Sequence, residues 1–256
     1  MLTLALKLLL APALVVVSTL AGRRWGPRVG GVLVCLPVVA GPILLVVRLQ
    51  HGATFAAGTA RAATLGVVPL ALFAVALAGL SRRHGPVVTV LGSWLAVLAA
   101  DALLTRVPVP AWVALVLALA APHGAGFALR RSVAPAPAAV RAPWWDLPAR
   151  AVATALLVLV LTGLAGALGP TVTGVLSSFP VAQSVVCGFA LVAGGRPAVV
   201  ALLRGIVPGL DGLALFLFVC AVTLDRLPAG VAFGLALLAA AAVATVLLVR
   251  GRSSAR

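Results

Sequence analysis

Displaced along itself by 143 positions, the chain meets its own pattern. Lys7 falls on Arg150, Thr19 on Thr162, and Gly26-Pro27 on Gly169-Pro170. Gly31 falls on Gly174, Pro37-Val38 on Pro180-Val181, Gly52 on Gly195 and Arg61 on Arg204. A duplication constrains the fold strongly, because both copies must take up the same helices and pack against each other. Many membrane transporters are built this way, with the site where the copies meet.

Both copies are apolar. The chain is 63% hydrophobic and 9% charged, too little charge to coat a water-soluble surface. Apolar runs of about 20 residues, enough to cross ~30 Å of hydrocarbon, recur from end to end. The expected fold is all-α, a polytopic transmembrane bundle of about nine helices. They are expected near 2–21, 29–48, 55–80, 86–105, 109–129, 150–168, 171–193, 197–221 and 228–249. This gives a first four-helix repeat over 1–105, a linker helix and loop over 106–148, and a second four-helix repeat over 149–256.

Charge supports the count. The net charge is +15, but the basic residues sit in short inter-helix loops, which excludes a nucleic-acid face and reports topology instead. With nine crossings, Arg23, Arg24, Arg28, Arg82, Arg83, Arg130, Arg131, Arg141, Arg196, Arg250, Arg252 and Arg256 share one side. The other side keeps Arg48, Arg106 and Arg226. The positive-inside rule then puts the N-terminus outside and the C-terminus in the cytoplasm. With eight crossings the bias largely cancels. An odd helix between the copies turns the second one over, so the repeats are expected to be inverted. Residues 1–22 could pass for a cleaved leader, but the sixth helix is their internal copy, so the first helix is expected to be retained.

Charges within membrane helices are costly and default to functional candidates. Arg61 and Arg204 each lie about two turns into the third helix of a repeat. Their planar forks suit phosphate or carboxylate, and the alternative is that they snorkel to headgroups. Asp211 follows Arg204 by seven residues on one helix face and is expected to neutralise it or to carry a proton. Lys7 is a deeper, matched cation that could also snorkel. Asp101 is expected as a surface partner of Arg106.

Pro37 and Pro180 each free a backbone carbonyl in the second helix of a repeat, and Pro208 does so in the eighth helix. Ser177, Ser178, Gln183 and Ser184 add polarity in the second copy, where the first has Val34, Cys35, Ala40 and Gly41. Interrupted helices at corresponding positions point to a transport site, although hydroxyls and kinks also serve plain helix packing. Cys35, Cys187 and Cys220 lie in apolar segments and are read as packing residues. No metal spacing, P-loop, nucleophile elbow or dinucleotide fingerprint occurs. No metal, cofactor or enzyme activity is therefore expected.

Three segments resemble the GlpM-like small bacterial inner-membrane proteins: Ala5-Leu6-Lys7, Gly31 through Pro37, and Ala60-Arg61-Ala62-Ala63. The second copy repeats them as Arg150, Gly174 through Pro180, and Leu203-Arg204-Gly205. The chain departs from the pattern in Arg150, where the pattern has Lys, and in Gly205, where it has Ala. The resemblance implies two such units fused around an extra helix, in a bacterial cytoplasmic membrane, and implies no reaction. The leading functional expectation is a secondary transporter or flippase for a small or lipid-linked anionic solute. Its binding residues would be Arg61, Arg204, Asp211, Ser177, Ser178, Gln183 and Lys7. The alternative is a non-transporting membrane subunit or scaffold. Expected partners are the lipid bilayer, the solute and a second copy of the chain, with no nucleic acid.

Overall fold

Low polarity throughout leaves backbone groups no partner but each other, so a chain of this composition becomes helix. The computed structural model describes residues 2–104, 106, 109–131, 143–168 and 179–253. Every regular element among them is an α-helix. In order these are α1 Leu2–Trp25, α2 Pro27–Val34, α3 Ala40–His51, α4 Ala53–Leu65, α5 Val67–Leu80, α6 Pro86–Leu104, α7 Ala111–Arg130, α8 Asp146–Leu168, α9 Val181–Thr223 and α10 Ala229–Ser253.

Seven helical stretches among the described residues are long and apolar enough to span a membrane. One of them, α9, has 43 residues. At ~1.5 Å per residue that is about twice a bilayer's hydrocarbon thickness. It is divided at Gly195, whose φ of 63° and ψ of −161° leave the helical region. Together with the discontinuous α2–α3, the path matches about nine crossings. The protein is a multi-pass membrane protein.

Two of the expected helices differ from their sequence reading. The second, expected over 29–48, is not one kinked helix but two short ones, because residues 35–39 around Pro37 leave the helical path. The sixth begins at Asp146 rather than 150. Most of the expected seventh helix before Pro180 lies outside the described residues.

Burial sorts the helices into a centre and a ring. The most apolar windows of α4–α5 and α9 are 56% buried, against 17% in α8 and α10. Ring helices turn Leu9, Leu95, Val87 and Leu238 outward. That is ruinous in water and correct in lipid.

The burial pattern itself recurs at the 143-residue offset. Val15 and Val158, Ala56 and Val199, Phe73 and Phe216, and Leu77 and Cys220 are all buried at matched positions. So are Thr89 and Ala232, Ser93 and Ala236, and Val97 and Ala240. The matched glycines Gly52 (φ 88°, ψ 173°) and Gly195 share a positive-φ, extended-ψ conformation that only glycine takes cheaply.

Neighbour order fixes relative direction. Along α2–α3 and then α9, Gly31 lies against Leu202 and Ile206, Cys35 against Gly209, Gly41 against Phe216, and Arg48 against Leu224. The two number series rise together, so these segments run parallel. The C-terminal end of α1 meets the first residue of α8 through Arg23 and Asp146, so that packed pair runs antiparallel. Trp94 meets Ser184 while Val90 meets Gly188, so α6 opposes the first part of α9. An even number of crossings before α8 would have reversed all three relations.

Candidate functional site

The break in the second helix, around Pro37, meets the N-terminal end of α9. Pro37 is buried within this break. Pro180 is the N-cap residue of α9 (φ −78°, ψ 61°) and is buried too. Between them, Gln183 in the first turn of α9 reaches Cys35 at the end of α2, with Nε2 at 3.8 Å from Sγ. The Cys35 thiol in turn donates to the Ile206 carbonyl at 3.3 Å. Gln183 is buried, and its Oε1 has no hydrogen-bond partner. A buried acceptor left unmade costs free energy that packing alone does not return, so it marks a place where a ligand or a movement can supply a donor.

α6 clasps that end of α9. Trp94 Nε1–H donates to Ser184 Oγ at 2.8 Å, and its ring meets Phe179 edge-on at 5.2 Å. On the other side lies a cleft whose empty volume, open side included, is about 210 Å³. Val32, Pro37, Gly209 and Val243 are among its lining, which is apolar. It is smaller than the ~300–1,000 Å³ of common small-molecule sites. The packing here is dry and close.

That closeness comes from glycine. A Cβ on Gly31 would sit 2.3 Å from the Leu202 carbonyl oxygen, and one on Gly205 would sit 2.0 Å from that of Arg28. Small residues let membrane helices approach backbone to backbone.

The same contact places Arg204. Its neighbour Gly205 packs on the backbone of Arg28, in the first turn of α2. Arg204 is therefore level with the first turn of α2. Arg61 on α4 and Arg204 on α9 are both exposed, and no hydrogen bond or ion pair joins either to a described residue. The expected pairing of Arg204 with Asp211 is not formed. Asp211 instead faces His123 of α7, with Oδ1 at 3.8 Å from Nδ1. The physical reason is that the exposed Arg204 side chain keeps its solvation at the bundle surface, while Asp211 points to the imidazole that α7 brings within 3.8 Å. Lys7 is half-buried in α1 with no ion-pair partner among the described residues. Ser177 and Ser178 lie outside the described residues.

Pro208 was expected to break its helix, but α9 runs through it. A proline removes one backbone bond without forcing a break, and Gly205 and Gly209 beside it leave room for the ring. Asp101 is buried rather than at the surface.

One cluster went unnoticed in the sequence. Asp146 accepts from Arg150 Nε at 2.8 Å and from Arg150 Nη2 at 3.2 Å, and it also pairs with Arg23 of α1. The Arg150 guanidinium lies 4.9 Å from the centre of the Phe189 ring and reaches the Val186 carbonyl at 3.4 Å. Asp146 and Arg150 are both buried. A planar fork held at both ends by a carboxylate and an aromatic face is a structural tie among α1, α8 and α9. The spacing of four residues between Asp146 and Arg150 was the available signal. At the opposite end, Arg48 donates to the Leu224 and Leu227 carbonyls at 2.6 and 3.1 Å, capping the end of α9.

Comparison with protein-family models, curated proteins and solved structures returns no match to this chain.

Proposed function

We propose that the protein is a secondary transporter or flippase for a small or lipid-linked anionic solute, built from two inverted four-helix repeats around α7. The observation that carries this reading is the meeting of the interrupted α2–α3 with the N-terminal end of α9, at the matched prolines Pro37 and Pro180, through Cys35 and Gln183. Interrupted backbone inside a membrane is tolerated where it serves a path, and half-helix ends are the usual ligands of transported ions. Matched burial, the matched Gly52 and Gly195 and the parallel and antiparallel contacts support the inverted repeat.

Alternating access requires one repeat to rock against the other. The dry packing at α2 and α9 supports a closed gate on that path, with Gln183 beyond it. Arg204, beside Arg28, and Arg61 at the matched position of the other repeat receive the anion before and after it crosses. The GlpM-like resemblance, the N-terminus-out orientation and the bacterial cytoplasmic membrane belong to this proposal. So does the absence of an enzyme activity.

The test is reconstitution in liposomes offered inorganic phosphate, small carboxylates and a fluorescent anionic phospholipid. One of them is expected to cross. Arg204→Ala and Gln183→Leu should abolish or slow that movement while insertion and melting temperature hold. Unchanged movement in Arg204→Ala overturns the assignment of the arginine, and movement by neither variant nor parent overturns transport. A second reading, a non-transporting membrane subunit, is favoured by the closely packed cleft and the two outward-facing arginines.

A further inference from the structure

Asp211 sits near the middle of the second half of α9, sixteen residues after Gly195 and twelve before Thr223. Its Oδ1 is buried and has no hydrogen-bond partner. The groups that face it are few. His123 approaches from α7 at 3.8 Å. The Cys35 thiol approaches from α2, packed on Gly209 and already committed to the Ile206 carbonyl. α5 and the described side chains of α10 contain no titratable residue. Arg61 of α4 is exposed and Arg150 of α8 is held by Asp146. Among the described residues no fixed cation neutralises this carboxylate, so its charge is settled by a proton.

His123 is built to deliver one. Its Nδ1 lies 2.7 Å from the Leu119 carbonyl. A carbonyl only accepts, so Nδ1 carries the ring proton and Nε2 carries the lone pair. The side chain is 73% exposed, while Asp211 is 22% exposed. The imidazole is thus mostly exposed while its Nδ1 lies 3.8 Å from the half-buried Asp211 carboxylate.

We propose that Asp211 and His123 form a proton-binding pair within the membrane and that the ion driving transport is H⁺. In the step, Nε2 takes a proton from a hydronium ion, which leaves as water. Nδ1 exchanges the Leu119 carbonyl for Asp211 Oδ1 and gives up its proton there. Asp211 becomes neutral, and the ring is again neutral with its proton on Nε2. Release to the other side reverses these transfers. The coupling role rests on the transport reading, whereas the proton-binding step stands without it.

The experiment is an infrared pH titration of the full chain in lipid bilayers. The chain has four carboxylate side chains, Asp101, Asp146, Asp211 and Asp225, so the loss of one is resolvable. A protonated-carboxyl band is expected to appear on acidification and to vanish in Asp211→Asn. His123→Gln should move its midpoint, because an amide can neither take up nor relay the proton that the imidazole hands to Asp211. If Asp211→Asn fails to fold, Asp211→Glu should shift the band in frequency instead. A band that survives in Asp211→Asn, or does not move in Asp211→Glu, overturns the proposal, as does a midpoint indifferent to His123→Gln. If Asp211 titrates as expected but no solute crosses the bilayer, transport falls and the proton site remains.

Discussion

The two halves share a skeleton and differ in chemistry. Gly52 and Gly195 turn the chain in the same way, and Phe73 and Phe216 fill matched buried positions. Yet the positions matched to Gln183 and Asp211 are Ala40 and Val68, and the position matched to Asp146 is Thr3. Packing needs shape, and both copies keep it. A polar group inside a membrane costs several kcal/mol unless satisfied, so it persists where something uses it. The contrast teaches that each half adds its own polar groups to a shared packing frame: Asp146, Gln183 and Asp211 in the second, and Asp101, matched to Ala244, in the first.

Paired substitutions can break or sharpen this contrast. The largest effect is expected from Asp146→Ala, which leaves the buried Arg150 without its carboxylate. It should cost about 3–5 kcal/mol, read as a lower melting temperature in detergent micelles. Lys7→Ala, at the position matched to Arg150, should cost less than about 1 kcal/mol. Equal losses would show that both halves are locked electrostatically.

Next in size is Gly205→Ala, whose new Cβ meets the Arg28 carbonyl. Forcing backbone apart should cost about 1–3 kcal/mol, whereas Ala62→Val, on the exposed face at the matched position, should stay within about 0.5 kcal/mol. The smallest effect tests likeness rather than difference. Gly52→Ala and Gly195→Ala should each cost about 1–2 kcal/mol, and by similar amounts. A neutral result at one of them would mean that the two turns are held differently.

The spans were legible because a run of apolar residues has few fates, and the interruption at Pro37 was legible because proline lacks a donor. Residues matched at the 143-position offset, such as Phe73 and Phe216, are buried in both halves, because apolar side chains at like places along like helices meet like neighbours. The partner of Asp211 was not legible. Arg204 is near it in sequence and shares its helix face, while His123 belongs to another helix whose rotation nothing local specifies.

The pair between Arg23 and Asp146 joins residues 123 positions apart. At ~5–20 residues per second of synthesis, roughly 6–25 s pass between the emergence of one and the other. No acidic residue lies between Met1 and Asp101, so for much of that interval the stretch being made brings only cationic charges to the bilayer. The first half waits for the second. A ribosome stalled before Asp146 should therefore leave inserted helices that proteases still cut freely, and the native bundle should close only once α8 and α9 have left the tunnel.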